Sequence, residues 1–247
     1  MVTAFPSRLH SRSQSLPVRF LDKYFYFCMS LLVAAVVVYG FSHTVDANLF
    51  HPSVPRPLLL SFHAACFSLW VAFFVFQSAL VRTHNVRIHR ATGWFGAALG
   101  AAMVALGYST AVVMYRFDVH TLHLSTIVPF LIVPLFDITN FAVLFSLAIL
   151  WRRRPEFHRR LILVATCAIT SAAFGRMPFN FPMPLLFYFG VDALLLLGPV
   201  RDLIVNRRIH KVYLCALPVE FVCQCGVIYA YTHQWPAWMR VARAIVG

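Results

Sequence analysis

The chain has 247 residues, of which 60% are hydrophobic and 12% charged, with 24 phenylalanines and a mean hydropathy of +0.74. Soluble domains sit nearer roughly 45–50% apolar, so a soluble fold of this length has no interior large enough for these side chains, whereas a bilayer accommodates them. The net charge of +13 comes from 21 Lys and Arg against 8 Asp and Glu; the basic residues fall mainly between apolar runs, where they mark membrane topology instead of a nucleic-acid surface.

Seven segments have the length and apolarity of a spanning helix. In chain order they are Lys23–Phe41, Pro57–Val81, Ala91–Tyr115, Thr126–Trp151, Leu161–Gly175, Pro184–Val205 and Val212–Thr232. Backbone polar groups cannot stay unpaired in lipid, so the expected fold is an all-α polytopic bundle of about seven transmembrane helices. A basic cytoplasmic segment, residues 1–22, precedes the bundle of residues 23–232. The first apolar run is longer than the hydrophobic region of a signal peptide and reads as an uncleaved span, although Val45-Asp46-Ala47 has a cleavage-site pattern. Residues 233–247 read as an interfacial amphipathic tail: Trp238, Val241, Ala242 and Ile245 share one helical face, with Arg240 and Arg243 on the other. Tyr231, Trp235 and Trp238 then belong to an aromatic belt.

Orientation follows from Lys and Arg. The N-terminal segment holds Arg8, Arg12, Arg19 and Lys23, and alternate loops hold Arg82, Arg87 and Arg90; Arg152, Arg153, Arg154, Arg159 and Arg160; and Arg201, Arg207, Arg208 and Lys211. The opposite side has only Arg56, Arg116, Arg176, Arg240 and Arg243. The N-terminus is therefore expected in the cytoplasm and the C-terminus outside. Three of the cytoplasmic loops repeat an apolar–His–basic pattern, at Ile88-His89-Arg90, Phe157-His158-Arg159 and Ile209-His210-Lys211. The repeat implies one lone helix followed by three helical hairpins. The six cysteines, Cys28, Cys66, Cys167, Cys215, Cys223 and Cys225, lie within apolar runs and read as small core residues, not disulfides or ligands.

Phe62-His63-Ala64, Trp70, Gln77, His89-Arg90 and Gly93-Trp94, together with the run Arg152-Arg153-Arg154-Pro155-Glu156-Phe157-His158-Arg159-Arg160-Leu161, resemble an uncharacterised family of bacterial multi-span membrane proteins. The resemblance covers roughly spans two to five. It implies a compact helical bundle in the bacterial inner membrane, draws attention to these histidines and carries no chemistry.

Ionisable residues inside a membrane are functional candidates by default. His63, Trp70 and Gln77 are seven apart and form one stripe, which serves either a ligand or proton site or a helix seam. Asp137 and Asn140 share a face of span four, after Pro129 and Pro134. Span six holds Asp192 and Pro199, and span seven holds Pro218, Glu220 and Gln224. Acids beside proline-interrupted helices are how transporters build binding sites; the alternative is acids kept neutral and bonded to carbonyls. Arg176 is the natural countercharge for one aspartate. By depth, His63, Asp137 and Asp192 converge in the outer half, and Glu220 lies nearer the cytoplasmic side.

Two further ligand sets are open. His63 with His120 or His123 gives the two axial ligands of a haem b, or a divalent-metal site if joined by Asp137 or Asp192. His89, His158 and His210 either cap their helices as neutral imidazoles or meet around a metal. Lys23 and Lys211 are the only lysines and neither is mid-helix, which opposes a retinal Schiff base; Walker, His-Glu-x-x-His and Gly-x-Ser-x-Gly motifs are missing from the sequence. Three functional readings follow: a protein that binds or moves a small solute or protons through a pocket at His63, Gln77, Asp137, Asn140, Arg176, Asp192 and Glu220; a haem or metal redox protein; and an accessory subunit of a larger membrane complex. The first is favoured because the acids outnumber what a helix seam requires. No catalytic residue is assigned.

Overall fold

The computed structural model describes residues 16–178 and 185–247. Arg8, Arg12 and the expected start of the sixth span at Pro184 lie outside the described residues. The chain is all-α, with helices α1 (Leu16–Ser42), α2 (Leu58–Arg82), α3 (Val86–His120), α4 (Ile132–Leu150), α5 (Pro155–Ala168), α6 (Ser171–Phe174), α7 (Leu185–Asn206), α8 (Lys211–Thr232) and α9 (Pro236–Val246). A π-helical turn, Asp46–Phe50, follows α1, and a 3-10 stretch, Ser125–Leu131, leads into α4. Among the described residues, six stretches are long and apolar enough to cross a membrane: Val18–Ser42, Leu58–Arg82, Val86–His120, Ser125–Leu150, Pro155–Phe174 and Lys211–Thr232. The 22-residue α7 matches them in length but contains Asp192, Arg201 and Asp202. The chain is a multi-pass integral membrane protein.

Several helices outrun their apolar cores. Hydropathy falls at the first Arg or His, but the backbone ladder continues through residues whose side chains reach the interface, so α3 begins at Val86 instead of Ala91. The fifth span departs furthest from expectation. It starts at Pro155, whose missing N–H would be unsatisfied in a first turn anyway, and its α-helix stops after Ala168. Thr170 Oγ1 donates to the Cys167 carbonyl at 2.6 Å across the break, and α6 resumes at Ser171. In the fourth span, Pro129 falls within the 3-10 stretch and Pro134 within the first turn of α4, where a proline removes no helical bond.

The fifth span is the most enclosed: Leu161 and every residue from Leu163 to Ala168 are buried, as in a helix that is apolar on all sides and surrounded by others. Around it, Met103, Phe141, Val164 and Val191 are closed off completely, and Trp70 meets Phe141 and Phe145 edge-on at 5.3 and 5.6 Å. α1 and α6 approach closely at Gly40, where a Cβ would lie 2.7 Å from the Ala173 carbonyl carbon and 2.9 Å from its Cα. Of the cysteines, Cys167 is buried and Cys66 partly so, but Cys28, Cys215, Cys223 and Cys225 are exposed on the bundle. The core reading fails for those four because an apolar run in a membrane protein presents residues to lipid as readily as to other helices.

The two ends differ. At one end, Arg82 stacks on Tyr24 at 4.0 Å, Phe157 meets His210 at 4.8 Å, and Arg201 pairs with Asp22. The start of α1 and the α2–α3, α4–α5 and α7–α8 connections, the ones rich in Arg, therefore gather there. At the opposite end Arg56 pairs with Asp118 at 3.0 Å. There α9 docks by Met239, Ala242 and Val246 against α3 and the 3-10 stretch, leaving Val241 half-exposed. Its terminal carbonyls accept from Arg116 Nε (to Ile245, 2.8 Å) and His120 Nε2 (to Val246, 3.1 Å), cationic or polar donors at the negative end of the helix.

Candidate functional site

Side chains from four helices form one polar cluster inside the bundle. On α4, Asp137 accepts from Ser171 Oγ and, at 3.2 Å, from the Tyr188 hydroxyl. One turn further along α4, Asn140 Nδ2 donates to Glu220 Oε2 at 2.6 Å, and Gln224 Nε2 donates to Glu220 Oε1 at 3.2 Å. Asp192 of α7 lies near Gln224 and Glu220. Glu220 and Gln224 are buried.

Each position has a local cause. Asp137 and Asn140 are three apart and share a helix face, and Glu220 and Gln224 are four apart and do the same. The break in the fifth span turns Ser171 toward α4, and the tight contact of Gly190 with the Phe174 ring draws α7 close to α6, next to Tyr188. None of Asp137, Asp192 and Glu220 forms an ion pair among the described residues. The hydrogen bonds fall into two sets, Asp137 with Ser171 and Tyr188 and Glu220 with Asn140 and Gln224, and among the described residues no group of three or more His, Cys, Asp or Glu is placed to hold a metal.

The other expected site residues lie elsewhere. Glu220 meets Asn140, one turn beyond Asp137 toward the Arg-rich end of α4, and still lies near the other acids. Arg176 is not their countercharge: its guanidinium donates to the Ala172 carbonyl at 2.7 Å and stacks on Phe41 at 4.6 Å. His63 stacks on Phe67 at 4.0 Å and leaves Nδ1 without a partner. Gln77 donates to Thr92 Oγ1 of α3 at 2.8 Å, so the His63–Trp70–Gln77 stripe runs along a helix seam. His120 is tied to α9, and His123 sits in a turn at φ 57°. His210 caps α8, its Nδ1 accepting from the Val212 N–H at 3.2 Å, while the rings of His89 and His158 approach each other at 6.4 Å. The three repeated histidines therefore do not share one centre.

An ionic network at the Arg-rich end has no counterpart in the sequence reading. Asp202 is fully buried and accepts from Arg160 Nε at 3.0 Å and NH2 at 2.7 Å, from Arg201 NH1 at 2.9 Å and from Asn206 at 3.1 Å. Arg160 also reaches Glu156 Oε2 at 2.6 Å, and Arg201 reaches Asp22. Arg160 and Arg201, which the charge pattern assigns to the loops of one membrane face, are both 1% exposed. The signal was an aspartate next to Arg201 at the end of an apolar run, since an isolated carboxylate there requires a partner.

No protein-family model, no curated protein and no solved structure matches this chain.

Proposed function

We propose that this membrane protein takes up and releases protons at the Asp137–Asp192–Glu220 cluster, in the service of moving protons or a small polar solute. One observation supports the reading above all others: three carboxyls from three helices lie near one another inside the bundle, and none has a basic partner among the described residues. Charged acids are costly in such surroundings, and neighbouring carboxylates repel one another, so the cluster holds protons or a cation. The extended arrangement favours protons, which need one oxygen each, over a metal ion, which needs a cage. Ser171, Tyr188, Asn140 and Gln224 supply hydroxyls and amides that re-orient as a proton arrives or leaves.

The test is proton flux in proteoliposomes that enclose a pH-sensitive dye. After an external acid pulse the wild-type protein should acidify the lumen faster than protein-free vesicles, and Asp137→Asn and Glu220→Gln should remove the difference. Equal rates for wild type and both variants would refute proton movement through this cluster.

A further inference from the structure

At the Arg-rich end, away from the carboxyl cluster, His89 of α3 and His158 of α5 face each other with ring centroids 6.4 Å apart and ring planes at 72°. The two residues come from separate hairpins, and their meeting does not depend on the third repeated histidine, which caps α8.

The hydrogen bonds fix what these rings present. His158 Nδ1 lies 2.9 Å from the Ala148 carbonyl oxygen. A carbonyl only accepts, so Nδ1 carries the hydrogen and, in the neutral ring, Nε2 is a bare lone pair. This is the arrangement found at metal-binding histidines, where the other ring nitrogen donates to a carbonyl and fixes the tautomer. His89 Nδ1 is buried and has no hydrogen-bond partner, and the Gln77 carbonyl lies beside its ring. The Gln77 side chain donates to Thr92, one turn beyond His89, and its Oε1 is also buried without a partner. Two buried, unpartnered atoms, His89 Nδ1 on α3 and Gln77 Oε1 on the adjoining α2, thus lie on neighbouring helices, and His158 of α5 approaches His89.

Distance suits a metal. Centroids 6.4 Å apart match two imidazoles that hold one ion in trans with each metal–nitrogen distance about 2.0–2.1 Å, and the tetrahedral angle of Zn(II) requires the two side chains to swing closer together. We infer that His89 and His158 form a two-imidazole site for a late first-row transition metal, Cu(II) or Zn(II), with water or the Gln77 amide oxygen completing the coordination. Imidazole ligands favour these ions over Mg(II) and Ca(II).

The experiment uses the full-length, tag-free protein in detergent, dialysed against ZnCl2 and, separately, CuCl2. Wild type should bind one equivalent of either ion, and the Cu(II) form should show nitrogen hyperfine splitting in its electron paramagnetic resonance spectrum. His89→Gln and His158→Gln should each weaken binding at least tenfold, while His233→Ala, at the other end of the bundle, should not. The absence of a stoichiometric ion, of nitrogen coupling in the wild-type spectrum, or of any loss in the double variant would overturn the inference. The spectrum is read on wild type, so a variant that fails to fold does not rescue it.

Discussion

Asn140 and Glu220, 80 residues apart in sequence, are joined by a 2.6 Å hydrogen bond between α4 and α8. This bond turns two separate helix faces into one cluster. Removing the amide leaves a buried carboxyl short of a donor, so Asn140→Leu should destabilise the protein by about 1–3 kcal/mol. The double variant Asn140→Leu/Glu220→Leu, which removes both polar groups, should recover most of that loss. Thermal melting of wild type, Asn140→Leu, Glu220→Leu and the double variant in detergent gives the coupling; additive effects would deny the interaction.

The buried pair Arg160–Asp202 makes a different prediction. It is held by two hydrogen bonds, and Arg201 and Asn206 converge on the same carboxylate. Asp202→Ala leaves two guanidinium groups facing each other without their anion, with an expected cost of about 3–5 kcal/mol. Arg160→Met combined with Asp202→Leu should cost less than Asp202→Ala alone, since Asp22 still partners Arg201. Denaturant or thermal unfolding with circular dichroism checks the order of the variants. In proteoliposomes the paired variant should retain proton movement, because the network lies at the end of α7 away from Asp192.

Gly40 tests how the broken fifth span is seated. A Cβ there would press on the backbone of Ala173, which cannot rotate aside as a side chain does. Gly40→Ala should therefore destabilise by about 1–3 kcal/mol, and by shifting α6 it should displace Ser171 from Asp137. Slower proton uptake together with a lower melting temperature is the expected pair of results; an unchanged melting temperature would mean that α1 and α6 do not pack this closely.

His210 gives a pH dependence. Its burial, followed by the nearby positive charge of Arg160, lowers its affinity for a proton relative to the ordinary histidine value of 6.5. Its Nδ1 caps α8 only as a lone pair, so the capping form is neutral. The folded-state value is depressed, so the stabilisation is complete above 6.5 and is lost as pH falls through 6.5 toward the folded-state value. Melting temperature should fall between about pH 7.5 and about pH 5.5, and His210→Asn, which keeps an acceptor that does not titrate, should reduce the fall. An identical fall in the variant would assign the pH dependence to other groups.

The sequence revealed the spans readily and the contacts between them poorly. Apolar length located the helices, because a bilayer imposes its thickness on any chain that crosses it, and Asp137, Asp192 and Glu220 stood out because charge is rare in such runs. The break after Ala168 was illegible: Ile169-Thr170 contains neither Pro nor Gly, and the interruption shows itself only in the hydrogen bond from Thr170 to Cys167. Arg176 was assigned to an aspartate by depth alone, but depth does not give azimuth, and the side chain turns to Phe41 instead. The burial of Arg160 and Arg201 is not legible in the sequence, because a helix end and a loop have the same composition where the chain leaves the membrane.

The most direct test of the central claim is infrared difference spectroscopy of the reconstituted protein during a pH titration, which reads protonated carboxyls by their C=O stretch. Wild type should show protonated carboxyl bands that disappear on alkalinisation, and Asp137→Asn, Asp192→Asn and Glu220→Gln should each remove or shift part of that signal. Bands identical in wild type and all three variants, or no carboxyl titrating at all, would contradict a proton-holding cluster at Asp137, Asp192 and Glu220.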